Sequence, residues 1–122
     1  MNEKTTQGIS YPLKLQDAKR NTRSLASAQS AVMEAFTRLH KAAVATGALE
    51  SRIKELMALA ISITARCDDC IAHHIHDAQE AGATREEIAE AIGVAILMGG
   101  GPSMLYAAHA IEALDQFYGT EA

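Results

Sequence analysis

The stretch that decides the fold runs from Leu56 to Ile63 and reads LMALAISI. Its apolar side chains fall on nearly every side of a helix, which predicts a helix buried on most faces by its own domain or by a partner subunit. Strand signals are weak, because no β-branched alternation bounded by turns stands out in the sequence. We therefore predict an all-α fold in which this helix spans about residues 50–65.

Four further helices are predicted outward from this stretch. An apolar face at Val32, Phe36, Leu39 and Ala43 indicates a long helix that Gly47 ends. Thr84-Arg85-Glu86-Glu87 is a capping-box pattern that starts another, and Gly99-Gly100-Gly101 followed by Pro102 predicts a turn before the last. The predicted spans are about residues 24–46, 67–81, 84–98 and 103–117. Short connections of this kind are typical of a helical bundle.

Length and charge limit the class of protein. The 122 residues allow one domain, and the net charge of −4 argues against general nucleic-acid binding. No apolar run approaches the about 18 residues of a transmembrane helix, and the N-terminus lacks the apolar stretch of a signal peptide, so we expect a cytoplasmic protein. Residues 1–23 carry a charge of +3 and are interpreted as a solvated arm before a helical domain at 24–122. A nucleic-acid or membrane tail is the less favoured interpretation of that arm.

The composition of the core predicts self-association. The chain is rich in alanine and has no Trp and two Phe. Alanine favours helices but buries little apolar area, so a monomer of this length would be marginally stable. Oligomerisation is the natural remedy, and we expect a homo-oligomer.

The only two cysteines form a Cys67-Asp68-Asp69-Cys70 motif. Such a pair in a cytosolic protein is more often redox-active or metal-binding than structural. At a helix start the two sulfurs lie on one face, within reach of a disulfide, and the helix N-terminus stabilises a thiolate. The two aspartates oppose that stabilisation through their negative charge.

Two more residues are candidates for proton transfer. His74 is four residues after Cys70 on the same helical face, so it could take a proton from the Cys70 thiol. Glu55 lies in the apolar central helix, where the sequence alone favours an exposed edge over burial with a partner. Glu55 and Cys67 can share one site only if the chain reverses near Arg66.

Other histidines and methionines have less specific interpretations. His73 and His76 point elsewhere on the helix, and we interpret them as exposed histidines. His109 could approach the site, but a core or interface histidine bonded to backbone is the favoured interpretation. The methionines on apolar stretches are expected to pack, and the glycine triplet lacks the lysine and serine of a phosphate-binding loop.

The spacing Glu55, eleven residues, Cys67, two residues, Cys70, three residues, His74 resembles the active-site motif of the AhpD-like alkylhydroperoxidases. These belong to the carboxymuconolactone decarboxylase superfamily. Residues 81–91, AGATREEIAEA, and the Gly99–Pro102 segment are also similar to that family, and the resemblance covers about residues 30–115.

The resemblance implies an all-α subunit and a homo-oligomer, commonly a trimer or hexamer. It also implies peroxide reduction without a cofactor or metal. Cys70 would be the attacking thiolate, and Cys67 would resolve its sulfenic acid to a Cys67–Cys70 disulfide that a dithiol or redox protein reopens. His74 would deprotonate Cys70, and Glu55 would orient His74.

One position departs from the family pattern. AhpD itself carries a histidine directly before the second cysteine, where this chain has Asp69. The acid removes one ring from a proton relay and adds negative charge beside Cys70. A general thiol–disulfide oxidoreductase tolerates this change better than an efficient peroxidase does.

Two alternatives use the same residues without peroxide turnover. In the first, Cys67, Cys70, His74 and Glu55 bind zinc, although the second C-x-x-C of most closed zinc sites is absent. In the second, the thiols of a non-catalytic oligomer sense oxidation.

Overall fold

The computed structural model describes residues 8–119, and the regular structure in that part of the chain is entirely helical. The described helices are α1 Tyr11–Ala28, α2 Ser30–Val44, α3 Ser51–Thr64, α4 Asp68–Glu80 and α5 Arg85–Tyr118. The prediction of an all-α fold is therefore confirmed.

Helix α3 packs against α4 and α5, and these three helices form the centre of the subunit. The largest side chains buried between them are Leu59, Ile63, Ile71, Ile75, Ile88 and Leu114. Met57 and Ile61, on another part of α3, are exposed. The all-round apolar helix is therefore buried along one part of its surface within the single chain.

The helix predicted over residues 24–46 is divided at Gln29. Gln29 has φ −137° and ψ 57°, which ends α1 and precedes α2. Neither glycine nor proline marks this break in the sequence, so no local signal could locate it. The apolar positions that suggested the helix lie on α2, which has no buried residue in the described chain.

The N-terminal segment packs on the bundle from residue 11 onward. Ser10 caps α1 by accepting a hydrogen bond from the Leu13 N–H, and Tyr11 and Leu15 are in the core. The Gln116 side chain accepts from the Tyr11 N–H at 2.6 Å and donates to the Ile9 carbonyl at 2.8 Å. Helix α1 runs across the boundary expected between residues 23 and 24, and residues 1–7 of the expected arm lie outside the described residues.

The predicted glycine turn is a kink inside α5. Gly100 has φ 70° and ψ −150°, which is outside the helical region and is accessible mainly to glycine. A Cβ on Gly99 would lie 1.7 Å from Ser103 Oγ, so only glycine allows this close approach. Pro102 follows without needing a backbone donor. The predicted fourth and fifth helices are thus two arms of one kinked element.

By length and composition, α5 is also apolar enough to cross a membrane. That is weak evidence, because helices of soluble proteins pass the same test. Only a minor part of its most apolar window is buried inside the subunit. The sequence expectation concerned an uninterrupted apolar run, whereas α5 reaches this mean hydropathy through alanine, isoleucine, leucine and methionine residues with glycines, a proline and a serine among them.

The chain reverses between α3 and α4, as the site hypothesis required. Arg66 takes a left-handed conformation with φ 60°, its N–H donates to the Ile63 carbonyl, and the Cys67 N–H donates to the Ser62 carbonyl. These two bonds form a Schellman motif, in which glycine is the usual left-handed residue. The motif ends α3 and brings α4 alongside it.

A candidate redox site at the start of helix α4

The two cysteines are joined by a disulfide in the first turn of α4. Their Cα atoms are 5.2 Å apart. Cys67 is the N-cap residue, and its Sγ accepts a hydrogen bond from the Cys70 N–H at 3.2 Å. The unpaired amides of a helix start therefore act directly on the Cys67 sulfur.

Glu55 is buried, with 4% of its surface exposed, so the expectation of an exposed edge was wrong. The reversal at Arg66 places α4 over the face of α3 that carries Glu55. There Glu55 Oε1 lies 2.8 Å from His74 Nδ1. Sequence could not decide this, because burial of Glu55 depends on which helix covers it.

The Glu55–His74 pair fixes the histidine ring. An ionised Glu55 accepts the Nδ1–H of His74, which leaves Nε2 as the nitrogen that can accept a proton. A buried carboxylate in this position stabilises the imidazolium that forms when Nε2 is protonated. The pair can thus hold or release one proton near the disulfide.

A cleft of about 340 Å³ opens between α1, α2 and the start of α4. It gives Cys70 and His74 a common space that a small molecule could enter. Its lining consists of Ala18, Thr22, Phe36, His40, Asp69, Cys70, His73 and His74.

His40 is a residue of this cleft that the sequence reasoning missed. Its ring centroid lies 5.8 Å from that of His73 and 6.2 Å from that of His74. Its Nε2 atom is buried and has no hydrogen-bond partner among residues 8–119. The available signal was its position four residues after Phe36, on the apolar face already noted.

His73 and His76 are not simply exposed histidines, because both lie against Asp77. His73 Nε2 is 2.9 Å from one carboxylate oxygen of Asp77, and His76 Nδ1 is 3.3 Å from the other. The hydrogen bond to Asp77 raises the pKa of His73, although burial acts in the opposite direction. Burial alone would raise the pKa of Asp77, but the hydrogen bond and charge of His73, supported by His76, lower it to about 2.

Asp68 binds His109, which corrects the expectation of a backbone-bonded histidine. His109 Nδ1 lies 2.8 Å from Asp68 Oδ1, and the Tyr106 ring centroid lies 4.8 Å from that of His109. Asp68 directly follows Cys67, so this pair lies at the N-terminal edge of α4. His109 therefore contacts the residue next to Cys67 and does so through the Asp68 carboxylate.

Asp69, the departure from the family pattern, lies largely exposed beside Cys70. Lys14 Nζ is 3.3 Å from Asp69 Oδ1. The ammonium partly offsets the negative charge that Asp69 adds near the cysteine. Helix α1 thus brings a compensating cation that the sequence motif alone did not reveal.

Two sets of side chains offer ligand atoms close enough for one metal ion. His40, His73 and Asp77 form the first set, and Glu55, His74 and Asp77 form the second, with the ligand atoms of each set within 4.8 Å of one another. The zinc set predicted from sequence needs two thiolates. The disulfide removes them, so that alternative applies to the reduced protein only.

Comparison with known proteins agrees with this architecture. Residues 30–113 match the carboxymuconolactone decarboxylase family. An uncharacterized protein of Cupriavidus necator is 40% identical over 102 residues, which cover 84% of this chain and 90% of that protein.

Two solved structures share the fold. A carboxymuconolactone decarboxylase family protein from Legionella pneumophila has a TM-score of 0.84 and 36% identity, covering 88% of this chain and 96% of its own. A family member from Thermotoga maritima, for which involvement in an antioxidative response has been suggested, has a TM-score of 0.77 and 32% identity, covering 86% and 90%. The chain belongs to the carboxymuconolactone decarboxylase family, and the resemblance seen in its sequence is confirmed.

Proposed function

We propose that the protein is a thiol-dependent oxidoreductase that cycles the Cys67–Cys70 disulfide and reduces organic hydroperoxides. One observation carries the proposal: Cys70 faces a cleft shared with His74, and Glu55 holds His74 by a buried hydrogen bond. The antioxidative role suggested for the T. maritima relative agrees with this chemistry.

The cycle begins when a dithiol opens the disulfide by exchange and leaves as its own disulfide. His74 Nε2 takes the proton of the Cys70 thiol, and Glu55 stabilises the imidazolium. The thiolate attacks one peroxide oxygen. An S–O bond forms, the O–O bond breaks, and the imidazolium protonates the departing alkoxide to give an alcohol.

The second half of the cycle regenerates the disulfide. Cys70 is now a sulfenic acid, and the Cys67 sulfur attacks it. An S–S bond forms, and the sulfenic oxygen leaves as water with the proton of the Cys67 thiol. The Cys70 N–H donates a hydrogen bond to Cys67 Sγ, and this contact at the helix start favours the thiolate form of Cys67, which assists the attack.

Turnover of cumene hydroperoxide with dihydrolipoamide tests the proposal. We expect turnover in the wild type and none in Cys70→Ser or Cys67→Ser. The two variants are matched controls for one another, because only Cys67→Ser should accumulate a sulfenic acid that dimedone traps. Trapping in Cys70→Ser alone would reverse the assigned roles.

The same assay separates a peroxidase from a redox partner or sensor. A wild type that does not consume peroxide but exchanges its disulfide with a dithiol would overturn the peroxide step and retain the exchange step. Asp69→His would then be informative, because it restores the family residue. We expect this variant to increase the peroxide rate relative to the wild type.

We also propose that further copies of the chain cover the apolar faces of α2, α3 and α5. Large apolar side chains on these helices are exposed in the single subunit, including Phe36, Leu39, Ile61, Leu97, Met98 and Leu105. Exposed apolar area of this extent favours self-association over solvation. The family resemblance suggests a trimer or hexamer, and the reducing conditions needed for the cycle suit a cytoplasmic location.

Light scattering tests the assembly. We expect a particle several times the 13.0 kDa mass of the chain. Leu97→Glu places a charge on the exposed face of α5 and should reduce the mass, whereas Glu90→Gln, a change at an exposed polar position of α5, should not. A 13.0 kDa particle for the wild type would overturn the proposal.

A further inference from the structure

The cluster of His40, His73 and Asp77 is not used by the proposed thiol cycle. His40 comes from α2, while His73 and Asp77 are four residues apart on α4 and face the same side of that helix. The nitrogen and oxygen ligand atoms of the three side chains lie within 4.8 Å of one another. Two helices thus bring together a donor set that neither could form alone.

The unpartnered Nε2 atom of His40 indicates that the cluster has room for one more bonding partner. Its Nε2 is buried and unpartnered among the described residues, and burying such an atom without a hydrogen bond or a ligand costs free energy. The ring lies next to His73 at the wall of an open cleft. A small cation entering the cleft could be bound by this nitrogen.

We propose that His40, His73 and Asp77 bind one divalent transition-metal ion, with Zn²⁺ as the best match. Two imidazoles and a carboxylate are the donors that Zn²⁺ accepts, at about 2.0–2.2 Å from the ion. Asp77 supplies negative charge, and His73 already lies 2.9 Å from it, so the ion replaces this contact with two metal–ligand bonds. Three protein ligands leave a fourth position for water or a small ligand.

The three ligands of this site take no part in the proposed thiol cycle, although His40 and His73 line the same cleft as Cys70. The site requires no cysteine, so it is available while the disulfide is intact. The neighbouring set Glu55, His74 and Asp77 is the structural competitor, since both sets share Asp77. Variants that remove only one set distinguish them.

Titration of the untagged, oxidised protein with Zn²⁺ alone, and with Co²⁺ as a spectroscopic probe, tests the proposal. We expect one ion per chain and a Co²⁺ spectrum without thiolate bands. His40→Gln and His73→Gln should each weaken binding by about tenfold or more, since even outer-shell changes reach that size. Glu55→Gln and a Cys67→Ser/Cys70→Ser double variant should bind like the wild type.

His109→Gln is the matched control, because His109 also pairs with a carboxylate but lies outside the cluster. If His40→Gln fails to fold, the ring signals of the wild type in an NMR titration give the answer: Zn²⁺ should shift those of His40 and His73 and leave His109 unchanged. Absence of binding at millimolar Zn²⁺, or binding lost in Glu55→Gln and kept in His40→Gln, would overturn the proposal.

Discussion

Two histidine–carboxylate pairs flank the disulfide, and they differ in burial rather than in bond length. Glu55–His74 and Asp68–His109 each have an Nδ1–oxygen distance of 2.8 Å. The side chains of the first pair are 6% and 20% exposed, and those of the second are 21% and 39% exposed. Because water screens the second pair more, equal geometry gives unequal electrostatic strength.

Because the two hydrogen bonds have the same length, position and burial must indicate which pair suits the proposed proton transfer. His74 lines the cleft with Cys70, whereas His109 contacts the residue beside Cys67. A buried carboxylate can stabilise a proton on His74 when Cys70 loses it, and solvent can do much of the same for His109. We therefore propose that the first pair transfers the proton in the proposed cycle.

The largest effect should follow from breaking the buried pair. Glu55→Gln removes the charge that stabilises protonated His74, and we expect peroxide turnover to fall about 100-fold or more, the range of general acid–base catalysis. His74→Gln and the double variant should lose a similar amount, because the two residues act as a unit. Steady-state rates of peroxide turnover, measured for the three variants across a range of pH, test this expectation. Additive losses would contradict a common role.

The free energy of unfolding should also depend more on the buried pair than on the exposed pair. Glu55→Ala leaves His74 without its partner in a buried setting, which we expect to cost about 1–3 kcal/mol. Asp68→Ala breaks the more exposed pair and should cost about 1 kcal/mol or less. Urea denaturation of the oxidised proteins compares the two. Equal losses would mean that burial does not distinguish the pairs.

The exposed pair should matter little for turnover. His109→Gln removes the ring while Asp68 stays solvated, so we expect the rate to change by no more than about fivefold, corresponding to about 1 kcal/mol. The matched comparison is His74→Gln in the same assay. A loss as large as that of His74→Gln would indicate that the Asp68–His109 pair, rather than Glu55–His74, transfers the proton.

Glu87 is a carboxylate outside the candidate redox site, and it forms part of the capping box at the start of α5. The Thr84 N–H donates to it, and Arg52 pairs with it; these contacts outweigh partial burial and lower the pKa of Glu87. Its stabilisation is therefore present above the unfolded-state pKa of about 4.3 and is lost as pH falls through the lower folded-state value.

Glu87→Gln should lower the melting temperature slightly at pH 7. The difference from the wild type should close as the pH is lowered below about 4. Thermal melts between pH 3 and 7 measure it. A difference that grows on acidification would show that Glu87 is not held in its charged form by these contacts.

The helix cap at Thr84 and the spacing of the site residues could be predicted from the sequence, because their signals are local. The capping box at Thr84 forms as its spacing predicts, with hydrogen bonds in both directions. The spacing of Glu55, Cys67, Cys70 and His74 also indicated which residues could meet if the chain reversed near Arg66. These features depend on a few consecutive residues and on helical period.

The remaining features depend on contacts between distant segments. The break at Gln29 has no glycine or proline to mark it, and the burial of Glu55 depends on the position of α4. Neither the Asp68–His109 bond nor the place of His40 in the cleft follows from helical spacing, because each joins helices far apart in the chain. Such pairings are fixed by packing rather than by local pattern.

The position of Cys67 as N-cap makes the start of α4 a reporter of oxidation state. A thiolate accepts the amide hydrogen bond more strongly than a disulfide sulfur does. Reduction should therefore tighten this first turn, and by thermodynamic linkage the same interaction favours the reduced protein. If amide hydrogen exchange at Cys70 is slower after reduction, the exchange rate of this one backbone amide reports whether the two cysteines are oxidised or reduced.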